Sequence, residues 1–218
     1  MNLQPMIHEW PLIAAGIKVT LIASFAASIL AIAIGIGLGL VSQLGNRRLY
    51  QLVRVYVYVF RGVPLLVLLF LSYYALPAFG LVLPGLVAGT LAFGLNCGAY
   101  LAEVVRSALE SVDVSQKEAA ALDGASAWVT TSRVIFPQAA QRMVAPSTNQ
   151  IINMVKGTAL LSVISITDLT RAAQLVSASY FIPFEAYISL AALYLVIVTV
   201  VTRTSIIFER RLGSFVFS

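Results

Sequence analysis

Lys156, Gly157 and Thr158 have the residue types of a phosphate-binding loop, and Thr158 and Ser162 follow at helical spacing. The order is wrong for nucleotide chemistry. In G-x-x-x-x-G-K-[ST] the glycines precede the lysine so that backbone amides cradle phosphate, and no such run occurs in the chain. A single histidine, His8, rules out an H-E-x-x-H metal site, and no S-x-x-K or G-x-S-x-G nucleophile pattern is present. No catalytic or cofactor-binding residue is assigned. Cys97, the lone cysteine, cannot form an internal disulfide and reads as packing.

What remains is polarity inside apolar runs. A charge within a membrane span is costly and faces a bundle interior or a water-filled path. Lys156 is therefore a candidate to meet a substrate carboxylate, or alternatively a snorkelling or internally paired lysine. Thr158 and Ser162, one α-helical turn apart, are expected on one face. Asn96 supplies an amide in mid-span. For each of these the plainer reading is a hydrogen bond between spans.

The elements that would hold these groups follow from composition. The chain has 218 residues, 60% hydrophobic and only 11% charged, less than half the usual charged fraction. So few charges cannot make a water-soluble surface, so the lipid bilayer must be much of its solvent. Residues 19–46 and 62–102 contain no charge. With about 20 apolar residues needed per crossing, five spans are expected, at 12–43, 57–77, 84–105, 143–166 and 184–207, in a single membrane domain. Residues 1–17 lack Lys and Arg, so no cleavable signal is read there. The net charge of +5 reflects topology and not nucleic acid, since no basic stripe interleaved with aromatics exists. Arg47, Arg48, Arg54 and Arg61 lie after the first span. Arg106, Lys117, Arg133 and Arg142 lie between the third and fourth, and Arg203, Arg210 and Arg211 at the end. Because Lys and Arg collect on the cytoplasmic side, the amino terminus is expected outside and the carboxyl terminus inside. Residues 167–183, with Asp168 and Arg171, are expected as a short external surface helix.

Between the third and fourth spans lies a cytoplasmic loop, 107–142. Ser115 and Glu118 form an S-x-x-E capping box. Good helix formers follow to Leu122, and Gly124 suits a left-handed stop. Ser126 can cap a second helix that Pro137 is expected to end. A two-turn helix is marginal alone in water. It needs a surface, either a partner's groove or its own bundle.

Glu118, Ala119 and Ala120, then Gly124 three residues on, then Val134 to Pro137, resemble the EAA-x3-G-x9-I-x-L-P loop of ABC importer permeases. Val134 and Phe136 depart from it but keep apolar bulk. RGVPLLV from Arg61, GAYLAEVVR from Gly98, KGTALLSVI from Lys156 and DLTRAAQ from Asp168 are similar, in order, to stretches of the polar amino-acid subfamily of the His/Gln/Arg/Glu type, the likeness running from about Ala14 to Phe215. Gly157 and Ala159 stand where that family usually has Asp or Asn and Ser, a less polar site. The resemblance implies an all-α membrane protein with about five transmembrane helices and a cytoplasmic coupling helix, in the type I ABC importer permease architecture. It implies docking on an ATPase subunit through Glu118, Ala119, Ala120, Leu122, Asp123, Gly124 and Pro137. It further implies two ATPase subunits that bind ATP and Mg, a second identical or homologous permease, a periplasmic substrate-binding protein, an amino-acid substrate and the bacterial inner membrane. An ion-coupled secondary transporter would share the greasy composition and the buried lysine but would leave the capped loop unexplained.

Overall fold

The structure, a computed structural model, describes residues 3–43 and 46–216, with side chains described except at 117 and 208–216. The side chains of Lys117, Arg210 and Arg211 from the charge pattern thus lie outside the described set. Every regular element among the described residues is helical. In order these are α1 (Gln4–His8), α2 (Trp10–Val41), α3 (Arg47–Gly62), α4 (Leu65–Phe70), α5 (Gly85–Glu110), α6 (Val114–Leu122), α7 (Ala127–Val129), α8 (Phe136–Gly157), α9 (Leu169–Tyr180) and α10 (Pro183–Val216). Trp10–Val41, Gly85–Glu110 and Pro183–Ile207 are long and apolar enough to cross a bilayer, and two bent helix pairs bring the total to as many as five. In lipid every backbone group must be satisfied within its own segment, which is why these runs are helices.

Residues 57–77 do not form one helix. Pro64 has no N–H and disfavours a helical residue before it. Val63 is accordingly extended at φ −86°, ψ 132°, and separates α3 from α4. Pro77 is absorbed differently: Leu71–Ala75 widen into a π-turn and Leu76–Phe79 tighten into a 3-10 turn. Pro137 does not end its helix either. Thr130–Ile135 form a π segment that runs into α8, so the carbonyl four residues before the ring is displaced from it. The helix that holds the fourth expected span therefore starts before residue 143, and α8 also continues through Pro146. Beyond Gly157 the chain becomes a 3-10 turn, Thr158–Ile164.

The chain divides into two compact units, residues 1–29, 64–94 and 152–201, and residues 30–63, 95–151 and 202–218. In the first, α9 buries Leu169, Ala172 and Val176 against Met6, Ile13 and Ala186, with Leu190 and Ile197 beside them. The segment expected as an external surface helix is thus packed in a core, following α8 and its 3-10 turn after a 52° bend. Its amphipathic period, with apolar residues three and four apart, is the reason. In the second unit Val105, Leu109 and Val112 of α5 pack on Ile135, Ala139 and Met143, flanked by Ile36 and Leu40 of α2. Gly35 and Gly39 let α2 lie directly on α5: an added Cβ would meet Leu101 and Val105 side chains and the α5 backbone. Lipid tails are as apolar as leucine, so such close packing, and not expulsion from water, holds membrane helices together. On α10 Leu195, Val196 and Val200 are exposed, an apolar surface of the kind that suits lipid.

Candidate functional site

Helix α6 is a short helix closed at both ends that packs beside Thr130–Ile135. Asp113, not Ser115, is its N-cap, and its carboxylate accepts from the Ser115 amide at 2.9 Å. The helix begins at Val114, so Ser115 sits inside the first turn, where its own amide needs an acceptor. Glu118 is then too far along to reach back, and the expected capping box does not form. The bond from Ser115 holds the Asp113 carboxyl below the usual aspartate range. At the other end Gly124 takes φ +74°. The Ala125 amide donates to Ala120 O and the Gly124 amide to Ala121 O, both at 3.0 Å, the paired bonds of a Schellman stop. Ser126 caps α7 through the Val129 amide at 3.3 Å.

Apart from Ala120, which is buried, the described side chains of α6 are exposed. Leu122 is 90% exposed, Val114 61% and Trp128 on α7 53%. Three large apolar groups left bare on one short charged segment are of the kind that marks an interaction surface. Glu118, Ala119, Asp123 and Gly124 are exposed on the same segment. Pro137 belongs instead to the first turn of α8. The loop's root is tied down: Arg142 of α8 donates to Ser111 O at 2.6 Å and to Ser111 Oγ at 2.7 Å. Sequence reasoning placed Asp113, Trp128 and Arg142 within the 107–142 loop but gave none of them its role there. A tryptophan in a charged loop was the available signal for one, whereas Arg142 and Ser111 are 31 residues apart.

The polar groups of the spans separate into different roles. Asn96 donates to Phe60 O at 2.6 Å, and Tyr56 OH donates to Leu95 O at 2.7 Å, so both staple α3 to α5. Thr158 is fully buried and donates to Val155 O at 2.6 Å. Ser162 donates to Ala159 O at 2.7 Å. The two are on a 3-10 turn, where three residues make a turn and positions four apart diverge by roughly 120°. They do not share a face. Lys156, in the last turn of α8, is exposed.

Asp168 is neither an exterior contact nor a partner for the Arg171 guanidinium. It is fully buried and caps α9, accepting the Arg171 amide at 2.9 Å and the Thr170 amide at 3.1 Å. The neighbouring Leu169 amide donates to Thr20 Oγ1 at 3.1 Å, and Thr170 and Tyr194 hydroxyls are 3.0 Å apart. Every helix-start donor that the core would otherwise strand thus finds an oxygen. Along α5, Arg106 is held by Glu103 on one side and by Glu110 at 2.6 Å on the other. Arg61 lies over the Tyr100 ring, its guanidinium carbon 4.8 Å from the centroid.

Residues 31–214 match the family model described as "binding-protein-dependent transport system inner membrane component". The chain is 30% identical over 215 residues to the probable amino-acid ABC transporter permease protein YckA of Bacillus subtilis strain 168, covering 99% of this chain and 95% of that protein. It is 34% identical over 197 residues to the probable glutamine ABC transporter permease protein GlnM of the same organism, covering 90% and 91%. The crystal structure of an amino acid ABC transporter with histidines superposes with a TM-score of 0.87 at 34% identity, over 97% of this chain and 99% of that one. With its all-helical membrane fold, its capped α6 and these likenesses over nearly its whole length, the chain belongs to the family of binding-protein-dependent transport system inner membrane components, the permeases of ABC importers.

Proposed function

We propose that this chain forms part of the membrane path of an importer that carries polar amino acids or related compounds into the cytoplasm by alternating access. Two ATPase subunits bind ATP and Mg, close, and draw two docking helices together. The paired permease, identical or homologous, responds by opening outward to a periplasmic binding protein. In this reading the amino terminus lies outside, and α6 and the carboxyl terminus lie in the cytoplasm. The observation that carries it is α6 itself: a helix capped at both ends that leaves Leu122 and Val114 bare, with bare Trp128 on the helix that follows. Such a helix suits insertion of apolar anchors into a partner's groove and transmits displacement as a stiff body. Lys156 is the candidate to meet a substrate carboxylate, because it is the charged group exposed at the end of α8. Ser162 is the lesser candidate, while Asn96 and Thr158 serve the helix packing.

The test is ATP-driven uptake in proteoliposomes holding the permease with its ATPase. Glu118→Lys, or a bulky residue at Gly124, should leave ATP hydrolysis running while uptake falls. Gly124 has open space around it, so strain there comes only from its left-handed backbone. Normal uptake by both variants would remove the docking assignment. Vanadate-insensitive uptake that an ionophore abolishes would point to ion coupling instead.

A further inference from the structure

Between α3 and α5 lies a cleft of about 630 Å³ whose walls include Arg54, Arg61, Tyr100, Glu103 and Arg106. A smaller hollow of about 350 Å³ shares Arg61, Tyr100 and Glu103 and reaches Arg142 on α8. The cations here are not equivalent. Arg106 is engaged by Glu103 and Glu110, and Arg142 by Ser111. Arg54 and Arg61 act on Glu103 only through space. Arg61 rests on the Tyr100 face, and Arg54 has its guanidinium carbon 6.0 Å from the Tyr50 centroid. Among the described residues, neither donates to a carboxylate. Two oriented guanidinium forks with open donors therefore line a cavity, and a fork of this shape matches a carboxylate in bidentate fashion. Glu103 stands beside them. Arg106 donates to both oxygens of its carboxylate, and each oxygen keeps a second lone pair for another donor.

We infer that this cleft is a weak binding station for the zwitterionic head of the transported amino acid, with Arg61 and Arg54 receiving the carboxylate and Glu103 the ammonium. The inference rests on the amino-acid reading above and extends it, since the station shares no residue with Lys156 or Ser162. The head group is read and the side chain is not: the cavity is several times the volume of an amino acid, and its other walls are mostly Val53, Val57, tyrosine rings and the small residues Ser42, Gly62 and Ala102. Loose fit suits a release path, in which a solute must be drawn in and must also leave.

The test uses the complete permease–ATPase complex in lipid nanodiscs. Tyr58→Cys places a thiol on the cleft wall, and native Cys97 is buried and stays silent. Sulfonate-bearing and trimethylammonium-bearing methanethiosulfonates of similar size then report the local field. The anionic reagent should react faster by roughly tenfold relative to the pair's rates on a free thiol. Arg54→Gln with Arg61→Gln should remove the preference, and Arg61→Lys should retain most of it. A mixture of the common L-amino acids without cysteine, which would consume the reagent, should slow labelling of the arginine-intact protein, and their decarboxylated amines should not. The same protection should occur in phosphatidylcholine and in phosphatidylglycerol. Charge-indifferent labelling overturns the site. Protection by phosphatidylglycerol but not by amino acids also overturns it and assigns the cleft to a lipid headgroup. Absence of ATP-driven amino-acid uptake by the unmodified complex in proteoliposomes, alongside an intact anion preference in nanodiscs, would instead remove the transport reading on which the cargo assignment rests.

Discussion

Helix α6 and the Asp168 knot are both short helix starts capped by an aspartate, and they differ in everything else. Asp113 is exposed, caps a helix with one buried described side chain, and could be removed without leaving a stranded group in a core. Asp168 is fully buried, and the amides it accepts begin a helix whose Leu169, Ala172 and Val176 are core residues. The same device thus shapes a tool in one place and holds the scaffold in the other. Where water can replace the cap, its loss costs little. Where it cannot, the stranded donors cost their full desolvation.

Variants at the two places should separate accordingly. Asp168→Ala should be the most damaging, lowering stability by about 3 kcal/mol from the lost cap and the stranded amides together. Thermal unfolding of the detergent-purified protein measures it, and Asp168→Asn, which keeps an acceptor oxygen, should recover much of the loss. Equal stability of wild type and Asp168→Ala would break the contrast. Next comes Gly35→Leu, which forces α2 off the α5 backbone and should cost about 2 kcal/mol by overpacking, visible in the same melt. Leu122→Asp should leave that melt unchanged but weaken ATPase association about tenfold, near 1.4 kcal/mol. Co-purification or titration of the ATPase subunit reads this, and a lowered melting point would mean that Leu122 supports the fold. The smallest effect is acid sensitivity at Asp113. Its carboxyl is held below the usual aspartate range, so the cap contributes fully above the free-aspartate value near 4. The contribution is lost as pH falls through the lower folded value. Amide exchange at Ser115, corrected for intrinsic rate, should accelerate in acid while exchange in the core of α5 holds.

Much of the α6 segment was readable from local chemistry: Gly124 as a left-handed stop and Ser126 as a cap. These depend on neighbours within one or two turns. The cap itself was misassigned by two residues because Asp113 and Ser115 are both good caps, and only the position of the first helical turn chooses between them. Pro137 was read as a stop because proline usually is one. The widened turn before it, Thr130–Ile135, lets the helix run on into α8, and nothing in the residue types of that stretch marks it. Asp168 and Arg171 were placed on an external surface helix because spacing says nothing about burial. The contact that decided it, Leu169 to Thr20, spans 149 residues.

What the amino-acid order determined by itself is that this chain lives in lipid as helices, has no nucleotide loop of its own, and carries a short capped helix on a charged segment. Periodicity, charge scarcity and turn chemistry are local quantities, and local quantities survive without a fold. Only the tertiary structure decided which polar groups serve packing and which face a cavity. Asn96 was committed to the Phe60 carbonyl, Thr158 was sealed in the core, and Arg61 was left with open donors above Tyr100. A side chain's role in a membrane depends on what lies opposite it, and the opposing group is set by helix contacts that no spacing along one segment records.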